Sequence, residues 1–266
     1  MKIGFIGCGN MGSALAIAAE KAQIGSLYLS NRTAAKAEVL AKQLNATVAT
    51  NETIAATCDY IFLGVKPHLL RALLTSLAPV LSAREDQFVL ISMAAGVTLS
   101  SIEEAAGKRY PTLRIMPNTP TSVGEGLIQY CKNDVITPKD EQNFLKILAH
   151  AGKLDALEEH LIDAASAVSG CGPAFVCLFA EALADGGVKC GLPRAKALEY
   201  AAQTLLGTGK LLLESGKHPG ELKDAVCSPG GSTIAGVSAL EEHAFRAAVI
   251  AAVEAAYRRN RELGKD

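Results

Sequence analysis

The sequence predicts an α/β domain built on a doubly wound, mostly parallel sheet, followed by an all-α domain. Three observations carry this. Strand-like and helix-like patterns alternate through the first half of the chain. A glycine-patterned turn joins the first strand to the first helix. Beyond about residue 158 the strand signals fade, and the patterns are helical and rich in Ala and Leu.

Lys2-Ile3-Gly4-Phe5-Ile6 reads as a short buried strand, and an alanine-rich helix follows from Ser13 to Lys21. Between them lies Gly7-Cys8-Gly9-Asn10-Met11-Gly12, a G-x-G-x-x-G turn in the strand-to-helix context where that pattern means dinucleotide binding. Gly7 permits the tight turn, Gly9 lets the backbone approach a pyrophosphate, and Gly12 lets the helix pack close to the sheet. The helix N-terminus then offers unpaired N–H groups and a partial positive charge to the phosphates. The second strand, 27–30, ends in Ser30-Asn31-Arg32-Thr33. An NAD binder usually places an acid there for the ribose 2′-hydroxyl. Arg32 instead offers a planar fork of donors to a 2′-phosphate, which predicts NADP(H) over NAD(H).

Further strands are expected at 46–49, 59–65, 87–92 and 112–116, with helices at 34–44, 68–78 and 98–106. Gly124-Glu125-Gly126 leads into one more strand, Leu127–Cys131. Thr137-Pro138 starts a helix through about His150, with Thr as the cap and Pro at the first helical position. Later helices are expected at 159–168, 173–188, 194–215 and 243–262. Gly191-Leu192-Pro193 marks a stop and a new start. The Gly186-Gly187 pair signals a kink or a close helix contact. The expected division is residues 1–153 for the dinucleotide domain and 154–266 for the helical domain. The apolar faces of the later helices are too extensive for a small solitary bundle, which points to a helix-mediated homodimer.

Composition narrows the function classes. The chain has 266 residues, 49% of them hydrophobic, and a formal net charge of -1. That allows a large core and argues against a nucleic-acid partner. The seven cysteines (Cys8, Cys58, Cys131, Cys171, Cys177, Cys190 and Cys227) are scattered and never spaced C-x-x-C. Most read as small core residues of a reducing cytoplasm, with no metal site and no disulfide framework. The apolar N-terminus imitates a signal peptide, but the glycine turn interrupts it. No uninterrupted apolar run of about eighteen residues exists, so no membrane span is expected.

Three loops are expected at the C-terminal edge of the sheet: Gly64-Val65-Lys66-Pro67-His68, Ser92-Met93-Ala94-Ala95-Gly96 and Arg114-Ile115-Met116-Pro117-Asn118-Thr119-Pro120. The small residues Ala94, Ala95 and Gly96 leave room for a flat nicotinamide. The helical half carries one outstanding segment, Ser228-Pro229-Gly230-Gly231-Ser232-Thr233, opening onto a helix. Physics leaves two readings open. One is an anion nest for a small carboxylate, made of backbone N–H groups, two hydroxyls and a helix dipole. The other is a plain helix capped by Ser or Thr.

With these motifs in place the chain resembles the pyrroline-5-carboxylate reductase family. The resemblance rests on Ile6–Gly12, Val65-Lys66-Pro67, Ala94-Ala95-Gly96, Met116–Pro120, Ser169-Gly170-Cys171-Gly172-Pro173-Ala174 and the Ser228–Thr233 loop. It implies a Rossmann domain and an interlocked helical dimerisation domain. It also implies an active site between the nucleotide domain of one subunit and the helical domain of its partner, with decamers in some members. The implied reaction is hydride transfer from NADPH, with NADH also accepted, to a cyclic imine, giving L-proline. The implied cofactor set is Ile6, Gly7, Gly9, Asn10, Met11, Gly12, Asn31, Arg32, Asn51, Val65, Lys66, Pro67, Ala94, Ala95, Gly96 and Asn118. The implied substrate set is Val123, Ser228, Pro229, Gly230, Gly231, Ser232 and Thr233, with the Thr233 hydroxyl at the ring nitrogen as catalytic group. Ser232 departs from many members, which carry Ala or Thr there, and Ala225 from some, which carry Asn.

A protonated imine is already electrophilic, so orientation of two reactants carries most of the catalysis. No Tyr-x-x-x-Lys pair is present, and none of the five histidines (His68, His150, His160, His218, His243) has an evident carboxylate partner. A β-hydroxyacid dehydrogenase would carry a catalytic Lys where this chain has Val176. A non-enzymatic NADP sensor would not need a second anion site. A reductase of a related cyclic imine would differ only in pocket volume.

Overall fold

The computed structural model describes residues 1–263. Its first half alternates β1 (Lys2–Ile6), α1 (Asn10–Ala22), β2 (Ser26–Ser30), α2 (Ala34–Leu44), β3 (Thr47–Val48), α3 (Asn51–Thr57), β4 (Tyr60–Leu63) and α4 (Pro67–Ser82). It continues with β5 (Val89–Ser92), α5 (Leu99–Ala106), β6 (Thr112–Met116), a 3-10 turn (Thr119–Val123), β7 (Gly126–Lys132), α6 (Pro138–Ile147) and β8 (Gly152–Ala156). The sheet has eight strands in the order β3-β2-β1-β4-β5-β6-β7-β8. β6 and β7 pair antiparallel, and β7 and β8 are parallel. The order reverses between β1 and β4, and ligands of such sheets bind in the crevice at the carboxyl ends of those two strands.

The central strands are buried on both faces, so they read as continuous apolar runs rather than alternating ones. Two hydrophobic clusters result. Leu15, Leu29, Phe62 and Phe144 belong to one, and Ile61, Leu70, Leu74 and Leu90 to the other. Phe5 on β1 pairs with Phe62 on β4, and their rings stack with centroids 4.5 Å apart. Local chemistry sets the ends. Thr137 and Asp140 form a reciprocal capping box at the start of α6, with Pro138 at its first position. Asn45 closes α2 in the left-handed region.

The helical half comprises a short 3-10 turn (Glu159–Leu161), α7 (Ile162–Ser169), α8 (Gly172–Lys189), α9 (Arg194–Ser215), α10 (Pro219–Ala225), α11 (Ser232–Glu242) and α12 (Phe245–Leu263). The expected division after residue 153 falls inside β8. The first compact unit runs on to Cys171 and takes back the chain from Ala256, and the second is Gly172–Ala255. The physical reason is that residues 159–169 are tied to the sheet. Arg114 is buried on β6, and its guanidinium pairs with Glu159 at 3.2 Å and Asp163 at 3.1 Å. A buried cation needs such partners. Asn260 on α12 donates to the Asp163 carbonyl at 3.1 Å.

In the second unit α8 is unbroken, so Gly187 marks a close contact and no break, while Gly186 faces open space. A Cβ on Gly187 would lie 3.2 Å from Leu192 Cδ1 and 3.4 Å from Ala197 Cβ. Only Ala184, Ala197 and Ala201 are buried hydrophobics among the described residues of this unit, whereas Leu206 and Leu213 are widely exposed. An apolar groove lined by Phe175, Leu178, Phe179, Leu183, Tyr200 and Phe245 stays open. By length and composition alone Glu159–Lys189 could cross a membrane, and an 18-residue window within it has a mean hydropathy of 1.6. Ser166, Ser169, Gly170 and Gly172 interrupt its apolar run, which is why uninterrupted runs do not reveal it.

Candidate active site

The turn after β1 is built as the glycine spacing predicts. Gly7 sits at φ +104°, where L side chains are strained, and its N–H donates to the Ser30 carbonyl at 2.8 Å. A Cβ on Gly7 would lie 2.5 Å from the Gly64 carbonyl oxygen, and one on Gly12 would overlap the Gly7 carbonyl oxygen. Gly7 and Gly64 therefore close on each other at the reversal point of the sheet. Gly9 is different, because a Cβ there would meet nothing within 4 Å. It caps α1 without any side-chain hydrogen bond, and no acid lies in the first turn. Helix geometry leaves the amides of Asn10, Met11 and Gly12 without intrahelical acceptors. Open space above unpaired donors fits a pyrophosphate.

Around this turn the expected residues divide into supports and free groups. Ile6 is buried and its carbonyl accepts from Gly64 N–H at 2.7 Å, so it forms the floor of the turn. Asn31 accepts from Cys8 N–H at 3.0 Å and donates to the Thr33 carbonyl at 3.1 Å, which braces the loop. Arg32 is exposed and has no ion-pair partner among the described residues. Asn51 opens α3, and its Oδ1 accepts from the Ser30 hydroxyl at 2.6 Å. That bond occupies Oδ1 and does not use the two Nδ2 donors. The Cys8 thiol is pushed up to about 11 by burial, with the Ser30 carbonyl acting weakly the other way, so it is no nucleophile at neutral pH. Burial also raises Cys58 to about 11 and Cys131 to about 12.

At the next strand ends, Lys66 caps α4 with Pro67 at its first position, and the Lys66 side chain is exposed. Ala94 is buried and its N–H donates to the Ser92 hydroxyl at 3.3 Å, while Gly96 lies at φ +75°. Ala95 and Gly96 are half-buried. Asn118, like Asn31, has its amide bonded to the protein at both ends, and unlike Asn31 it is also buried. Nδ2 donates to the Ser169 carbonyl at 3.0 Å, and Oδ1 accepts from Leu127 N–H at 2.9 Å. Val123 ends the 3-10 turn, 73% exposed.

In the second unit, Ser228, Pro229, Gly230, Ser232 and Thr233 are exposed. Gly230 takes φ +68°, and Gly231 N–H donates to the Ser228 carbonyl at 3.0 Å. Gly231 occupies the cap position of α11, and no side chain caps it. The plain Ser/Thr-capped helix is therefore not what forms. Helix geometry leaves the amides of Ser232 and Thr233 without intrahelical acceptors, and their hydroxyls make no hydrogen bond among the described residues.

Sequence reasoning missed several features. His160 faces Glu158 at 3.2 Å, so one histidine does have a carboxylate neighbour, on the exposed surface. His218, by contrast, has the capping role read for such isolated histidines, and it caps α10 by accepting from Gly220 N–H at 3.1 Å. The Arg114 cluster was foreshadowed only by a cation inside an apolar strand. The Gly7–Gly64 contact left no local signal.

Comparison with known proteins shows what the chain is similar to. A family model described as pyrroline-5-carboxylate reductase dimerisation matches residues 159–263, and one described as NADP oxidoreductase coenzyme F420-dependent matches residues 2–96. Pyrroline-5-carboxylate reductase of Escherichia coli (strain K12) is 40% identical over 268 residues, covering 99% of this chain and 98% of that one. The Synechocystis enzyme of the same name is 40% identical over 269 residues, covering 100% and 99%. Among solved structures, the Plasmodium falciparum pyrroline carboxylate reductase with NADP bound superposes with a TM-score of 0.87 at 35% identity, covering 99% and 98%. The Coxiella burnetii pyrroline-5-carboxylate reductase gives 0.90 at 31% identity with the same coverage.

Proposed function

The chain belongs to the pyrroline-5-carboxylate reductase family and reduces L-1-pyrroline-5-carboxylate to L-proline with a hydride supplied by NADPH, and we propose how its residues divide that work. Gly7, Gly9, Asn10, Met11 and Gly12 hold the pyrophosphate, with Ile6 beneath them. Asn31, Arg32 and Asn51 surround the adenosine ribose and its 2′-phosphate. Val65, Lys66, Pro67, Ala94, Ala95 and Gly96 flank the nicotinamide. Ser228, Pro229, Gly230, Gly231, Ser232 and Thr233 receive the substrate carboxylate, and Val123 contacts the ring. The Thr233 hydroxyl hydrogen-bonds the ring nitrogen. The observation that carries this reading is the uncapped start of α11 beside two unspent hydroxyls, in a chain that also holds a nucleotide turn.

The protein self-associates, and we place the homodimer on the C-terminal helices, with a decamer as the larger assembly. The near-bare second unit supports this, because its open apolar face needs a cover. The same demand accounts for the apolar stretch Glu159–Lys189 without a membrane. The balanced charge speaks against nucleic acid, and seven free cysteines suit a reducing cytoplasm.

Two experiments bear on the ligand assignments. Proline should raise the melting temperature only when NADP⁺ is present, whereas a sensor lacking the second anion site would show no proline effect. Arg32→Asp should lower the ratio of kcat/KM with NADPH to kcat/KM with NADH by about tenfold or more, the scale of a lost charge-assisted bond. An unchanged ratio would dismiss Arg32 as the selectivity residue.

A further inference from the structure

We propose that Asn118 is a positioning residue for imine reduction and not a ligand of the cofactor. It locks the turn that carries Val123 to the end of α7. The inference rests on the reading above that Val123 meets the substrate.

Asn118 lies between β6 and the 3-10 turn, nearly buried. Its carbonyl accepts from Thr121 N–H at 3.2 Å, which starts the turn. Its side chain reaches across the turn to Leu127 N–H, so the two ends of the turn are joined through one amide. The other end of that amide donates to the Ser169 carbonyl, one of the last carbonyls of α7 that helix geometry leaves without a partner. Ser169 is itself held. Its hydroxyl accepts from Gln129 Nε2 at 2.7 Å and donates to the Ala165 carbonyl at 2.9 Å. Beneath the turn, a Cβ on Gly126 would overlap the Thr121 hydroxyl and lie 2.7 Å from the Ala151 carbonyl, so the turn sits directly on the β7 backbone.

This polar clamp is not the least costly way to join two segments. Asn118, Gln129 and Ser169 are all buried, and Gln129 Oε1 and Thr121 Oγ1 have no partner among the described residues. Apolar packing would bury the same junction without those costs. What the amides add is direction, since hydrogen bonds fix one geometry where apolar contacts tolerate several. The amide that does this is spent on protein partners and faces little solvent, which separates it from the exposed groups around the nucleotide turn.

The test separates binding of the two ligands. For Asn118→Ala, kcat/KM for the imine should fall about tenfold, mainly through KM. The Kd of NADPH, read by fluorescence titration without substrate, should stay within about twofold of wild type. Ser169→Ala keeps the carbonyl and loses only the hydroxyl bonds. It should move imine KM the same way by about two- to threefold, and it decides the matter should Asn118→Ala fail to fold. An NADPH Kd that rises as far as kcat/KM falls would make Asn118 a cofactor ligand and overturn the proposal, as would an unchanged imine KM in both variants. A wild-type protein that binds NADPH but never reduces the imine would overturn the functional reading, and this proposal with it.

Discussion

Gly12→Ala should destabilise the fold by about 3 kcal/mol and abolish tight NADPH binding, while Gly9→Ala should leave stability nearly unchanged and still weaken NADPH by more than about tenfold. The contrast follows from what surrounds each glycine. A methyl at Gly12 overlaps the Gly7 carbonyl oxygen, a backbone atom that no rotamer change can move. Gly7 cannot retreat, because it is packed on Gly64 and its N–H is bound to Ser30. The start of α1 must then lift from the sheet, taking its free amides with it. A methyl at Gly9 meets no protein atom, so its cost falls on the phosphates that the proposed binding mode brings there. Denaturant melts with NADPH titrations separate the two effects. Wild-type NADPH affinity in Gly9→Ala would remove the pyrophosphate from this turn.

Thr233→Ala should cost about 1–3 kcal/mol in kcat/KM, a factor of roughly 5 to 150, with little change in stability. The cost appears in the reaction because the hydroxyl caps nothing in the protein, where Gly231 holds the cap position. Thr233→Ser should retain most of the activity, since it keeps the hydroxyl and loses only a methyl. An unchanged kcat/KM in Thr233→Ala would remove the threonine from the ring nitrogen.

Much of this arrangement is legible in the residues because local chemistry marks it. The helices at 34–44 and 194–215 and the strand at 112–116 run as their punctuation predicts, with Asn45, Pro193 and Gly216 at helix ends. The glycine turn is legible because Gly7 and Gly12 each answer a separate steric need, while Gly9 keeps the space above the turn open. Other elements escape for identifiable reasons. α3 is only 7 residues long and is marked by little beyond its Thr50 cap. β8 reads as a loop because Lys153 and Asp155 lie on an edge strand that is only partly covered. Its omission put the expected domain division inside the sheet. The clamp at Asn118 joins residues 51 positions apart, and the Arg114 pairs join residues 45 and 49 apart. No local pattern encodes such partners, because they meet only once the sheet has formed.

The most direct test is consumption of NADPH by the purified protein with L-1-pyrroline-5-carboxylate, run beside NADH and a hydroxyacid substrate, with proline quantified. The account predicts rapid, imine-dependent oxidation of NADPH, one proline formed per NADPH consumed, slower use of NADH and no reaction with the hydroxyacid. NADPH that binds tightly but is not oxidised in the presence of the imine would contradict it.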